Sequence, residues 1–272
     1  MNKFLKFSLS CLLFGFIPCL AETGSNEKTS NANTGQQSQK LCFLKLDDLL
    51  QGAADGQAVP KSWQRVADFL EKKKIKSSMG IIGVSLVEDN PAYFEWIRTR
   101  TIPCGYIEFW HHGFHLRSEA ESGEYERSYA EQMYSFHMTD SLAYTKLGIQ
   151  LSVWGPHWSA TTADTDSALI NFPQIRMTFG YPSNAKHYRG FVFRNRIDLE
   201  YPTHNPDFEP FKKTYIEKSK GWDYFFLQGH PNSWDETRWE NFVKIIEYLE
   251  KDGVRFVTPT ELYMILKQRG LI

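Results

Sequence analysis

The segment Leu41-Cys-Phe-Leu-Lys-Leu-Asp-Asp48 places two adjacent aspartates directly after a short, mainly apolar run. A run of this length and composition predicts a buried β-strand. Further short apolar runs alternate with longer amphipathic stretches along the chain, and this alternation indicates parallel strands joined by helices. The segment is therefore the predicted first strand of an α/β fold, and Asp47 and Asp48 follow its end.

The remaining predicted elements continue this alternation. Strands are predicted over 79–86, 105–110, 151–154, 175–179, 222–227 and 254–257. Helices are predicted around 63–70 and over 91–98, 125–147, 163–169, 236–251 and 259–267. The segment 181–210 is rich in Pro, Asn, His and Arg and gives no clear element. About seven parallel strands without an internal repeat favour an irregular (β/α) barrel, and an open doubly wound sheet is the alternative.

The amino terminus predicts export. Residues 1–21 combine Lys3 and Lys6 with an apolar run over 7–17 and a small residue at Ala21, the pattern of a cleaved signal peptide. The apolar run is shorter than the roughly 20 residues that span a bilayer, so no stable membrane insertion is expected after cleavage. The protein is thus expected in the periplasm or outside the cell, and a lipid anchor at Cys19 is the alternative.

The chain after the signal peptide divides into a linker and one domain. Residues 22–40 consist mainly of Ser, Asn, Thr, Gln and Gly, and such a polar stretch predicts a disordered linker. Residues 41–272 have the size of a single α/β domain. Only Cys42 and Cys104 lie in that domain, too few for a disulfide scaffold, and the sequence leaves open whether they pair.

The charge balance excludes one class of partner. The chain has 31 basic and 32 acidic residues, a formal net charge of −1, and no clustered basic stripe. Release of counterions therefore cannot drive nucleic-acid binding. A neutral or weakly charged ligand is expected.

Aspartates and histidines follow four of the predicted strands, where parallel α/β folds place their chemistry. They are Asp47 and Asp48 after the first strand, His111, His112 and His115 after the third, His157 after the fourth, and His230 after the sixth of the seven. Alternation of side chains predicts that one aspartate binds a metal and the other faces the reacting water. A turn or helix cap is the alternative for this pair, and a lone structural histidine is the alternative for His230.

The spacing of His111 and His115 brings both imidazoles to one side of a helical turn or tight loop, where they can reach one ion. His112 is the alternative partner or a supporting group, and a chance pair on a solvated face is also open. One carboxylate with two imidazoles leaves a coordination position for water or substrate. Zn²⁺ is the expected ion, although such a set also accepts other first-row divalent metals.

The order of four motifs resembles the polysaccharide deacetylase superfamily (NodB homology, carbohydrate esterase family 4). The motifs are Leu44-Lys-Leu-Asp-Asp48, Phe109-Trp-His-His-Gly-Phe-His115, Val153-Trp-Gly-Pro-His-Trp158 and Leu227-Gln-Gly-His-Pro231. The resemblance implies that Asp47 is the catalytic base, that Asp48, His111 and His115 bind the metal, and that His230 is the acid. The third motif lacks the arginine that orients the base in relatives, so the partner of Asp47 stays open between Arg176 and Arg194.

The resemblance implies hydrolysis of the N-acetyl amide of a sugar in a poly- or oligosaccharide. The metal polarises the acetyl carbonyl, Asp47 takes the proton of the attacking water, and His230 protonates the leaving amine. Trp158, Trp234 and Pro156 are expected around the acetylated glycan, although ordinary packing also explains the tryptophans. The alternatives are an exported sugar-binding pseudoenzyme of the same fold, an O-acetyl esterase, and a metal-free barrel.

Overall fold

Strand β1 (Leu41–Leu49) lies between two strands at the centre of the sheet. The computed structural model describes residues 39–54, 56–115, 127–180 and 185–272, and all of these belong to one unit, Gln36–Ile272. The predicted signal peptide and all but the last two residues of the predicted linker lie outside the described residues.

Nine strands form one sheet in which every strand pairing is parallel among the described residues. After β1 they are β2 (Ser77–Ile81), β3 (Ile107–His111), β4 (Val153–Trp154), β5 (Met177–Thr178), β6 (Phe191–Val192), β7 (Arg196–Asp198), β8 (Tyr224–Gly229) and β9 (Arg255–Phe256). Their order is β6-β5-β4-β3-β2-β1-β8-β7, and β9 pairs with the start of β1. This curled, open wall confirms the predicted irregular (β/α) barrel. The prediction missed β6 and β7, which lie in the segment 181–210.

Seven helices connect or cover the strands in the described ranges. They are α1 (Lys61–Lys72), α2 (Pro91–Arg100), α3 (Tyr129–Leu142), α4 (Ala163–Leu169), α5 (Phe208–Lys218), α6 (Glu236–Lys251) and α7 (Pro259–Gln268). The predicted helix over 125–147 begins later, at a capping box of Ser128 and Glu131, and ends in a π-helical turn, Ala143–Leu147. The predicted strand over 79–86 is wrong beyond Ile81, because a 3-10 turn occupies Gly83–Leu86.

The two faces of β1 build different parts of the core. Cys42, Leu44 and Leu46 face the layer of helices, where they pack with buried residues of α1 and α6. Phe43 faces the barrel interior and stacks on Phe226 at a ring-centroid distance of 5.1 Å. Because side chains alternate along a strand, Lys45 and Asp47 follow Phe43 on the inner face. The interior of the barrel is therefore aromatic around Phe43 and charged toward the carboxyl end of β1, at Lys45 and Asp47.

Two further observations concern membrane-spanning helices and the cysteines. No helix among the described residues has both the length and the apolar character needed to cross a bilayer. Cys42 is buried in β1, whereas Cys104 is exposed at the surface.

We predict that Gly80→Ala destabilises the fold. Gly80 pairs with Trp110 across β2 and β3, and a Cβ atom at Gly80 would lie 2.5 Å from Trp110 Cζ2. Overpacking of a buried ring costs about 1–3 kcal/mol, which denaturant unfolding measures directly. Gly180→Ala is the control, because its nearest neighbour would be Ser159 Cβ at 3.8 Å. Equal stability of the two variants would show that Trp110 can shift without cost.

Candidate active site

A polar cavity of about 440 Å³ opens at the carboxyl ends of the central strands. Its wall combines carboxylates and imidazoles from β1 and from the segments that follow β3, β4, β7 and β8. Among its ionisable residues are Asp47, Asp48, His112, His157, Glu200 and His230. The edge of the barrel that the strand-end argument predicted for the site is therefore the edge at which this cavity opens.

Both aspartates of β1 line this cavity, which differs from the expectation that they point in different directions. The register against β2 runs from Leu46 opposite Met79 to Leu49 opposite Ile81, so β1 contains one extra residue. Asp48 has a φ of 70°, in the left-handed region that side chains other than glycine rarely adopt. This β-bulge interrupts the alternation and turns Asp48 toward the same cavity as Asp47.

Asp48, His112 and His157 form a candidate metal centre. One ligand atom from each lies within 4.8 Å of the other two. Asp48 Oδ1 is 3.1 Å from His112 Nε2 and 3.8 Å from His157 Nε2, and both imidazoles are buried. His112 Nδ1 lies 2.7 Å from the Gly155 carbonyl oxygen. A carbonyl only accepts hydrogen bonds, so Nδ1 carries a proton, and Nε2 faces Asp48, where it donates a hydrogen bond when it is protonated and can bind a metal when it is not.

The electrostatics of Asp48 suit a cation. Burial raises the pKa of Asp48, but the hydrogen bond from His112 and the positive charges of His112, His157 and His230 outweigh burial. The pKa of Asp48 therefore lies well below its ordinary value, and the carboxylate is ionised near neutral pH. An ionised carboxylate next to two imidazole nitrogens is a donor set that fits a divalent metal.

The structure does not bring the predicted ligands His111 and His115 to Asp48. His111 is the last residue of β3 and points away from His112, toward Phe136 of α3 at a ring-centroid distance of 5.3 Å. Its Nδ1 accepts a hydrogen bond from the backbone N–H of Gly113, and burial lowers its pKa to about 3. His115 is exposed and packs against the ring of Phe114. Strand alternation separates His111 from His112, so the ligand set becomes Asp48, His112 and His157.

Asp47 has a partner that the sequence analysis missed. Lys45 Nζ donates to Asp47 Oδ1 at 2.7 Å and to Oδ2 at 2.5 Å, and Gln228 Nε2 donates to Oδ2 at 2.9 Å. Burial lowers the pKa of Lys45, and the charge and hydrogen bond of Asp47 oppose this shift. Of the two expected arginines, Arg176 acts electrostatically on Glu108, and Arg194 donates its backbone N–H to Tyr224.

His230 is held by a second missed residue, Glu200. His230 Nδ1 lies 2.7 Å from Glu200 Oε2, and His230 Nε2 lies 3.7 Å from Asp47 Oδ2. Burial lowers the pKa of His230, but the hydrogen bond to Glu200 and the charges of Asp47, Glu200 and Asp48 raise it above its ordinary value. Glu200 lies two residues beyond the end of the short strand β7, and a position just after a strand was the sequence signal that could have indicated it.

Glu200, His204 and His230 are also spaced closely enough to hold a metal. However, Glu200 Oε1 already accepts the backbone N–H of His230 and the indole N–H of Trp234, at 2.7 and 2.8 Å. Oε2 accepts the backbone N–H of His204 and pairs with His230 Nδ1, both at 2.7 Å. Because both oxygens are fully engaged, this cluster serves to orient His230 and leaves Asp48, His112 and His157 as the better metal centre.

The predicted substrate residues fall in different places. Trp158 lines the cavity with 62% of its surface exposed, in a 3-10 turn (His157–Ser159) where its φ is 54°. Pro156 is buried at the start of that turn. Trp234 packs on Phe242 and donates its indole N–H to Glu200, so it supports the pairing of Glu200 with His230. Of these three residues, only Trp158 belongs to the cavity wall described here.

Comparison with known proteins gives matches only among solved structures. No protein-family model matches the chain, and no curated protein matches it. A family 4 acetyl xylan esterase from Clostridium thermocellum, solved with a cobalt ion, is 19% identical with a TM-score of 0.57, over 83% of this chain and 91% of that chain. The peptidoglycan deacetylase PdaC from Bacillus subtilis is 17% identical with a TM-score of 0.57, over 85% of this chain and 94% of that chain.

A pseudoenzyme of carbohydrate esterase family 4 from Bacillus anthracis shares the same fold. It is 12% identical with a TM-score of 0.55, over 83% of this chain and 66% of that chain. At these identities the likeness concerns the fold alone. The resemblance to the NodB-type carbohydrate esterase family 4 fold is confirmed at that level.

We predict that Glu200→Gln lowers the pKa of His230, because it removes the negative charge that faces Nδ1–H and leaves at most a neutral amide oxygen as its acceptor. NMR titration of the imidazole in metal-free protein measures this change. His204→Ala is the matched control, since His204 donates to Glu200 through its backbone N–H and keeps that bond.

The direction of the His230 pKa shift also determines how the stability of the fold depends on pH. The folded pKa of His230 lies above its unfolded value, so the contribution of the imidazolium is present at low pH and is lost as pH rises through the folded pKa. Wild type should lose more stability across this range than Glu200→Gln. An unchanged His230 pKa in the variant would contradict the assignment of Glu200.

Proposed function

We propose that this chain, which has the NodB-type fold, is a metal-dependent deacetylase that hydrolyses the N-acetyl amide of a sugar in a poly- or oligosaccharide. The proposal rests on the side chains that line one cavity. A donor set of one carboxylate and two imidazoles lies beside Asp47 and His230, which have separate hydrogen-bond partners. The names of the structural neighbours, an acetyl xylan esterase and a peptidoglycan deacetylase, support removal of acetyl groups from a glycan.

Asp48, His112 and His157 would hold the metal, and we propose Zn²⁺ on the basis of this mixed nitrogen and oxygen set. Three protein ligands leave room for water or substrate. When bound, such an ion supplies polarisation of the acetyl carbonyl and a lower pKa of its water.

Asp47 is placed to act as the base. Its Oδ2 accepts hydrogen bonds from Lys45 and Gln228, whereas its Oδ1 accepts one from Lys45. Oδ1 therefore keeps a lone pair that can take a proton from the attacking water. The water oxygen adds to the acetyl carbon, and its proton passes to Asp47.

His230 is placed to act as the acid. Glu200 engages Nδ1, so the proton available for transfer is on Nε2 of the imidazolium. As the carbon–nitrogen bond breaks, Nε2 protonates the leaving amine, and the products are acetate and a free amino sugar. A raised pKa keeps His230 protonated to higher pH, as an acid requires.

Trp158 would contact the glycan. Its exposed indole adjoins His157 at the cavity, and a flat aromatic surface suits the apolar face of a sugar ring.

We also propose export to the periplasm or the extracellular space from the composition of residues 1–21. An amino terminus at Glu22 in the mature protein would support cleavage after Ala21, and a lipidated Cys19 would replace that proposal with an anchored protein.

Two other functions have specific support. The Bacillus anthracis neighbour is a pseudoenzyme, which favours sugar binding without turnover as an alternative. The Clostridium neighbour is an acetyl xylan esterase, which favours O-acetyl ester hydrolysis. The missing arginine of the third motif no longer argues for the pseudoenzyme, since Lys45 supplies Asp47 with a cationic partner.

We predict that Asp48→Ala and His157→Ala bind less metal than the wild type, because each removes one of three ligands. Metal analysis of the purified proteins should show one divalent ion per chain in the wild type. His115→Ala is the control that separates the two ligand sets, and it should keep the ion. Loss of metal in His115→Ala together with retention in His157→Ala would instead support the ligands predicted from the sequence, Asp48, His111 and His115.

We predict that the wild type releases acetate from N-acetylglucosamine oligomers and that Asp47→Asn keeps its metal but loses about 10²- to 10⁴-fold in kcat. Acetate release and metal content are measured on the same samples. Activity on O-acetylated xylan alone would establish the esterase, and metal binding without product on either glycan would establish the pseudoenzyme. A fully active Asp47→Asn would place the base elsewhere.

A further inference from the structure

We infer that Lys45 decides which of the two adjacent aspartates binds the metal and which remains a base. The inference rests on the proposed function, and it concerns a positioning residue that does not itself contact the reacting atoms. The β-bulge brings two aspartates to one cavity, and their roles then have to be distinguished. Asp47 and Asp48 are chemically identical and line the same cavity, so residue type alone does not assign their roles.

A divalent cation near two carboxylates would attract both. Binding of Asp47 would add a fourth protein ligand beside Asp48, His112 and His157, and it would occupy the position meant for water or substrate. It would also remove the lone pair that the reaction needs as a base. The site therefore requires a group that holds Asp47 and leaves Asp48 available.

Lys45 meets this requirement through two hydrogen bonds. Its ammonium group donates to both oxygens of Asp47, at 2.7 and 2.5 Å, and both side chains are almost fully buried. Charge-assisted hydrogen bonds of this kind are the stronger class in proteins. The closest partner of Asp48 is instead the His112 imidazole, whose Nε2 lies 3.1 Å from Asp48 Oδ1. The two carboxylates therefore differ in their partners, and they also differ in exposure, since 26% of the Asp48 side chain is exposed but only 3% of that of Asp47.

The position of Lys45 is itself well determined. It is paired in register with Ser78 of β2 and Gln228 of β8, in the middle of the sheet. Its ammonium group lies 5.0 Å from the ring of Trp110 and 5.5 Å from that of Phe179, within the range of cation–π attraction. A buried ammonium group confined in this way cannot leave Asp47 without losing its main counter-charge.

The inference gives a pair of effects that ordinary structural damage would not produce together. Removing the ammonium group frees Asp47 to join the metal, and added carboxylate charge increases metal affinity. The same change removes the base from its working position, so turnover falls. A variant that merely disturbs the site would lose turnover and metal affinity together.

The test compares Lys45→Met with the wild type in metal titration and steady-state kinetics. Methionine keeps an unbranched apolar stem against Trp110 and Phe179 but carries no charge. We expect Lys45→Met to bind Zn²⁺ at least as tightly as the wild type, with kcat lower by about 10²-fold and little change in KM. Lys45→Arg should recover part of kcat, because a guanidinium group can also donate twice to a carboxylate.

Gln228→Met is the matched control, since it removes one hydrogen bond from Asp47 and leaves the ammonium group in place. It should lose less kcat than Lys45→Met and keep the wild-type metal affinity. A crystal structure of metal-loaded Lys45→Met should show the Asp47 carboxylate turned to the ion. If Lys45→Met fails to fold, Lys45→Gln replaces it with the same expected directions.

A folded Lys45→Met protein with weaker metal binding, or with kcat within about twofold of the wild type, would overturn the inference. Failure of the proposed function has a different signature. In that case the wild type itself would bind no ion or would release no acetate, and the variants would not differ from it.

Discussion

The extra residue in β1 is the constraint on which the candidate site depends. A regular strand would direct Asp47 and Asp48 to opposite faces, one into the barrel and one toward the helices. The left-handed conformation of Asp48 costs of the order of 1–3 kcal/mol in a residue with a side chain. Surrounding contacts maintain it, among them a hydrogen bond of 2.8 Å from Asn232 Nδ2 to the Asp48 carbonyl. Local strain of this kind concentrates two negative charges in one cavity.

The concentrated charge is balanced by partners of two kinds. Asp48 faces imidazoles that follow β3 and β4, and Asp47 faces an ammonium group of its own strand. His230 is in turn held by Glu200, so the imidazole on the far side of Asp47 has a carboxylate partner. The result is a sequence of alternating charges across the mouth of the barrel, in which each side chain has a defined neighbour.

Much of the fold followed from the sequence, because long amphipathic patterns are reliable. Helices α4 and α6 have the predicted bounds, and in α6 the buried apolar residues Phe242, Ile245, Ile246 and Leu249 repeat at helical spacing. Strands β6 and β7 have two and three residues and are too short to show any period. The run that follows β2 was misjudged because Gly83 packs closely against Thr139, a tertiary contact without a sequence signal.

The position of the candidate site in the fold could be predicted from the sequence, whereas its candidate metal ligands could not. Asp47, Asp48 and His230 lie where the strand-end argument placed them, but the histidine choice depended on where β3 ends. The prediction ended that strand at Trp110, whereas it includes His111, and one residue of strand reverses which imidazole faces the barrel. Lys45 and Glu200 were missed for another reason, because a lysine in an apolar strand and a glutamate 30 residues before His230 show their roles only in three dimensions.

The pairing of Lys45 with Asp47 has a consequence for how this fold can diverge. Lys45 and Asp47 lie two residues apart in one central strand, so one short sequence motif encodes both members of the pair. Under the proposed function, the segment after β4 does not have to hold the base, so it can provide the His157 imidazole for the cation and the Trp158 indole for the glycan. The proposed base and its partner then belong to a central strand, and the segments at the rim of the barrel can change without displacing them.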